Sequence, residues 1–124
     1  MMFLPYVGAV VLVAWGGAHI LPTRGVVAGF GALSPNNRRI LVMEWVAEGL
    51  ALIFIGVTAG LVWWQGGPTD RIAVLVLRAC GGMALVMAVW TAFTGGRTKI
   101  IPIKICPLVK TASAACFILP TLIH

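Results

Sequence analysis

Glu44 and Glu48 stand one helical turn apart in "NNRRILVMEWVAEGLALIFIGV", a stretch whose other residues after the arginines are mainly apolar. With Asp70 they make up all the acidic residues of the chain. Residues four apart share a helix face, and an ionised carboxylate in an apolar medium is stable only when it faces partners. His19 and Arg78 are the ionisable groups that can meet them. At the rise of a helix, His19 and Glu44 fall at similar depth, whereas Glu48 and Arg78 are separated by about 12 Å, bridgeable by two extended side chains or one water. The expected site is a cluster of His19, Glu44, Glu48 and Arg78, with Trp15 and Trp45 as pocket walls and Arg38 and Arg39 at a cytoplasmic mouth. Histidine and a buried glutamate can both titrate near neutrality, so the cluster suits a polar head group or proton exchange. The same groups can instead form a closed bridge network that only fixes helix register.

Other chemistries are less well served. A bis-histidine haem would need both His19 and His124, which the topology below puts at opposite membrane faces. His19, Glu44 and Glu48 offer acceptable metal donors, but there is no second nearby histidine and no Glu-x-x-His spacing, so neither metal nor cofactor is assigned. Cys80, Cys106 and Cys116 form no Cys-x-x-Cys pair. No Walker-type loop or nucleophile triad is present, and enzyme status stays open.

The elements that must position these groups follow from composition. At 124 residues, 60% hydrophobic and 10% charged, with a mean hydropathy of +1.04, the chain is too apolar for an ordinary soluble domain. Four apolar stretches approach the roughly 20 residues that a spanning helix needs. They run over about 3–21, 40–64, 72–93 and 107–122, and lack the alternation of barrel strands. The expectation is an all-α polytopic membrane protein, a four-transmembrane-helix bundle forming one domain over 1–124. A cleaved signal peptide fits the N-terminal stretch poorly, since the first basic residue is Arg24.

Basic residues set the orientation. Arg24, Arg38 and Arg39 flank the first connection and Arg97, Lys99, Lys104 and Lys110 the third, while Arg71 in the second is offset by Asp70. The positive-inside tendency then places the first and third connections in the cytoplasm and both termini outside. Topology and anionic headgroups account for the net charge of +6 without nucleic acid as a partner.

The connections and small residues carry further expectations. "PTRGVVAGFGALSPNN" is too rich in Gly, Pro and Asn to continue a helix, and Ser34-Pro35 offers N-cap chemistry for the second span. "WWQGGPTD" is a short hairpin, with Trp63 and Trp64 suited to the interface and Thr69 or Asp70 to a cap. Pro107 is placed to start the last helix. Gly49, Gly56 and Gly60 share a face of the second span and Gly81, Ala84 and Ala88 one of the third, either for internal packing or for a dimer.

The segment "AHILPTRGVVAGFGALSPNNRRILVMEWVAEGLALIFIGV" and the four-helix size resemble small uncharacterised bacterial membrane proteins of the DoxX-like kind. That resemblance implies a bacterial inner-membrane protein and, through the link of DoxX-like proteins to quinone-coupled sulfur oxidation, a quinone-like ligand. No active-site residue is carried over from it. Small multidrug transporters are similar in length and helix count, but their membrane-embedded glutamate lies in the first helix, whereas Glu44 and Glu48 lie in the second. The functional expectation is a hydrophobic or quinone-like small molecule bound at the Glu/His/Arg cluster, with proton linkage. An accessory subunit of a larger membrane complex is the alternative, a small transporter the third reading, and a homo-oligomer a further form of assembly.

Overall fold

The apolar stretches fold as helices in the computed structural model, which describes residues 1–123; His124, weighed above as a haem ligand, lies outside the described residues. No strand occurs among the described residues. Helix α1 (Leu4–Ile20) opens with Pro5 in its first turn, where the absent N–H is not missed. The chain then bends by 52° into α2 (Thr23–Gly29). Gly and Pro content argues against helix here, yet these residues coil because Val27 is buried, and tertiary burial outweighs weak propensity. Gly31, at φ 72°, lies just beyond the end of this helix in the left-handed region.

Helix α3 (Pro35–Gly66) is 32 residues long, roughly 48 Å at the standard rise. It starts at Pro35 rather than near Ile40, because Pro35 fits the first turn and the Asn37 N–H donates to Ser34 Oγ at 3.2 Å. The cap of α4 (Arg71–Phe93) is Asp70, whose carboxylate accepts from the Ile72 N–H at 2.7 Å and the Ala73 N–H at 3.4 Å. Helix α5 (Ile101–Ile118) differs from the sequence reading: Pro102 occupies its first turn and Pro107 lies within it rather than at its start. Pro107 supplies no N–H for the carbonyl four residues earlier, so the helix runs on with one bond fewer.

Three helical segments are long and apolar enough to cross a membrane, and a fourth results if α1 and α2 count as one broken span. The four longer helices form a ring in which α1 packs on α3, α3 on α4, α4 on α5, and α5 back on α1. Leu12, Leu52, Leu77 and Phe117 bring one side chain from each to the centre.

The α1–α3 contact depends on glycine. A Cβ on Gly16 would stand 2.6 Å from the Gly49 carbonyl oxygen, and one on Gly56 would stand 2.7 Å from that of Ala9. The backbones therefore touch, as small-residue packing permits. Gly81, Ala84 and Ala88 are likewise buried, with Gly81 against Ile118 and Ala114 of α5. Both small-residue faces are used inside the ring. Trp63 departs from its expected interface role: it is buried and donates its indole N–H to the Met2 carbonyl at 3.0 Å, whereas Trp64 is exposed.

Candidate functional site

Lys110 is among the largest fully buried side chains of the described residues, with 0% exposure. It projects from the middle of α5, and a buried ammonium requires a counter-charge and hydrogen-bond acceptors. It has both: Nζ pairs with Glu48 Oε1 from α3 and donates to Thr91 Oγ1 from α4 at 2.7 Å. Thr91 is free to accept because its own hydroxyl proton goes to the Met87 carbonyl, 2.8 Å away. Three helices thus converge on one ion pair.

The first helix completes the group. His19 Nε2 lies 3.7 Å from Glu48 Oε2, too far for a hydrogen bond, and has no other partner among the described residues. The imidazole is held by its surroundings: it stacks on Trp45 with ring centroids 4.0 Å apart and planes 15° apart. The Trp45 indole in turn donates to the His19 carbonyl at 2.7 Å. The His19 side chain is 10% exposed, whereas that of Glu48 is 33% exposed. Glu48 is therefore the most open member of the group formed by His19, Glu48 and Lys110, beside a buried nitrogen that has no hydrogen-bond partner among the described residues. One turn from His19 and Lys110, the Trp15 indole N–H donates to Cys106 Sγ at 3.3 Å and ties α1 to α5.

Of the four residues expected to cluster, the structure brings His19 and Glu48 together and leaves Glu44 and Arg78 elsewhere. Glu44 is exposed, because one turn earlier along α3 it is level with the end of α1, where the chain bends away. Arg78 faces the far end of α5: Nε donates to Thr121 Oγ1 at 3.0 Å and Nη2 to the Thr121 carbonyl at 2.7 Å. A cation satisfying carbonyls at a helix C-terminus is a structural role. Trp45 forms the wall behind His19, and Trp15 packs against the core near it. Arg38 lines a cleft at the α1–α2 bend, and Arg39 is exposed without an ion-pair partner among the described residues.

Lys110 and Thr91 are the members that the sequence reading lacks. The signal for Lys110 was present: it falls inside the fourth apolar stretch, where a lone cation calls for an acid just as Glu48 calls for a base. Thr91 carries no comparable signal, since a threonine in a helix usually bonds to its own backbone.

Chemically, the arrangement offers a carboxylate with one oxygen engaged by Lys110, and an imidazole nitrogen without a hydrogen-bond partner among the described residues 3.7 Å from the other oxygen. It can bind a group that accepts from or donates to the imidazole while meeting Glu48. Comparison with known families, with characterised proteins and with solved structures finds no match to this chain.

Proposed function

We propose that the chain is a four-span protein of a bacterial inner membrane, with both termini outside, that binds a hydrophobic, quinone-like small molecule through His19 and Glu48. Support for the membrane part comes from three spanning-length apolar helices with the bent α1–α2 pair as a fourth. Large apolar side chains exposed around the ring, such as Phe54, Leu75, Val86 and Trp90, fit a hydrocarbon surround. The net charge in the first and third connections supports the orientation.

The observation that carries the ligand reading is the His19 Nε2 without a protein partner next to a carboxylate that is one-third exposed, at 33%. Buried polar atoms without partners are rare, and one beside an open charged group suits an incoming ligand. A quinone-type head offers a carbonyl oxygen to the imidazole and, when reduced, a hydroxyl to Glu48. Its apolar tail remains among the outward side chains. Lys110 acts as a positioning residue, holding Glu48 in the ring through its other oxygen. Proton exchange between ligand and cluster follows from the same two groups.

Native mass spectrometry after gentle extraction tests this, with His19→Phe as the variant. Phenylalanine keeps the stack on Trp45 and deletes Nε2. A defined small-molecule adduct on the wild type, reduced about tenfold or more in His19→Phe, is the expected result, the loss corresponding to one strong hydrogen bond. Equal adduct on both proteins, or co-purifying polypeptides in stoichiometric amounts with no adduct, would make the cluster a fastening of the bundle in an accessory subunit.

A further inference from the structure

A cleft of about 400 Å³ opens where α1 ends and α2 turns away. Its polar side carries Thr23, Arg24 and Arg38, and its apolar side Ile20, Val42 and Val46. Arg24 comes from α2 and Arg38 from α3, so two elements joined by a short connection bring two arginines to the lining of one concavity. Neither arginine makes an ion pair or a side-chain hydrogen bond among the described residues. Glu44 does not line the cleft.

Two free guanidiniums select a phosphate or carboxylate, which a planar fork binds with two parallel hydrogen bonds. The apolar wall decides between a soluble anion and an amphiphile. A free phosphate has no use for Ile20, Val42 and Val46, whereas a lipid places its headgroup on the arginines and an acyl chain along that wall. The height of the cleft agrees, since Arg38 lies one turn into α3 and the bend falls in the part of the broken α1–α2 span nearest the first connection. We infer that this cleft is a binding site for the phosphate headgroup of an anionic phospholipid, held by Arg24 and Arg38 with a chain against Val42 and Val46. The inference rests on the membrane part of the proposed function and is independent of the ligand at Glu48. The 52° bend between α1 and α2 then has a use: it lifts Arg24 away from the α1 axis and opens the space that the headgroup fills.

The test uses full-length protein in detergent, delipidated and then titrated with phosphatidylglycerol, phosphatidylcholine or inorganic phosphate, with bound lipid counted by native mass spectrometry. Arg24→Gln/Arg38→Gln is compared with wild type and with Lys99→Gln/Lys104→Gln, which removes the same charge from the third connection and the first turn of α5. The expected result is retention of phosphatidylglycerol by the wild type and the lysine variant, and a loss of about tenfold or more in the arginine variant. Phosphatidylcholine should bind all three weakly and alike. Equal loss in both variants would reduce the effect to net charge, and tight binding of inorganic phosphate alone would make the site one for a soluble anion; either result overturns the proposal. Helical content by circular dichroism shows that the arginine variant is folded, and labelling of the connections from either side of a vesicle tests the membrane reading separately.

Discussion

Lys110 and Glu48 carry opposite charges but do not share one environment. The lysine is wholly enclosed, while the glutamate reaches the edge of the ring. Removing the glutamate strands a buried cation, whereas removing the lysine leaves a carboxylate that already has an opening. Glu48→Leu is therefore expected to destabilise the protein by about 3–5 kcal/mol, the range for breaking a buried pair from the costly side, and Lys110→Met by less. The Glu48→Leu/Lys110→Met double variant should lie close to wild type. Unfolding titrations in mixed micelles check the ranking, and a Lys110→Met variant weaker than Glu48→Leu would contradict it. Arg78 makes a contrasting case. Arg78→Leu should free the Thr121 turn, raising hydrogen exchange over the last residues of α5, at a cost of about 1.5–3 kcal/mol for bonds from a charged donor. Adduct retention should be unchanged, and a lost adduct would return Arg78 to the site. Grouping Lys110 with Arg97, Lys99 and Lys104 as a topological charge hides it; counted as a cation within an apolar stretch, it is the evident complement of Glu48. Arg78 misleads for another reason: depth arithmetic gives height along a helix but not the direction in which a side chain leaves it.

The helices themselves are more legible than their partners. Run length and hydropathy locate four apolar stretches, and Ser34 and Asp70 mark two starts through capping chemistry readable from residue type. What escapes is decided by packing: α2 forms because Val27 finds a buried position, and α5 begins ahead of Pro107 because Pro102 already supplies a first-turn residue. Glycine spacing gives the packing faces but not which helix meets them. That meeting yields a graded expectation. Gly56→Ala pushes a methyl onto the Ala9 carbonyl, a backbone atom that cannot step aside, and should cost about 1–3 kcal/mol as an overpacked contact. Gly60→Ala meets only the Ala9 Cβ at 3.3 Å and should cost less. Gly17, with nothing within 4 Å of an added Cβ, should accept alanine neutrally or with a small gain, since alanine is the better helix former by about 1 kcal/mol. Thermal unfolding of the three variants in one detergent reads the order directly, and damage from Gly17→Ala equal to that from Gly56→Ala would place the close contact elsewhere.

For the whole molecule, the ring order of the helices and the distribution of arginine and lysine make one joint statement in the four-span reading. The connection around Ser34 and the one around Gly96 lie on the same side, and the Gly67–Thr69 turn lies opposite. Single cysteines at Asn36, Pro68 and Thr98, introduced into a chain with Cys80, Cys106 and Cys116 changed to Ala, test this with an impermeant maleimide applied to intact cells. Only the cysteine at position 68 should be labelled from outside, and labelling at 36 or 98 would reverse the orientation.

The ion pair joins positions 62 residues apart. In the four-span reading, the carboxylate enters the bilayer with the second span, and its ammonium follows only with the last. Until synthesis has passed Lys110, the nascent protein carries an acid without its base. The pair thus also sets an order of assembly, because a chain that has inserted α3 and α4 without α5 keeps an unmatched carboxylate inside the bundle.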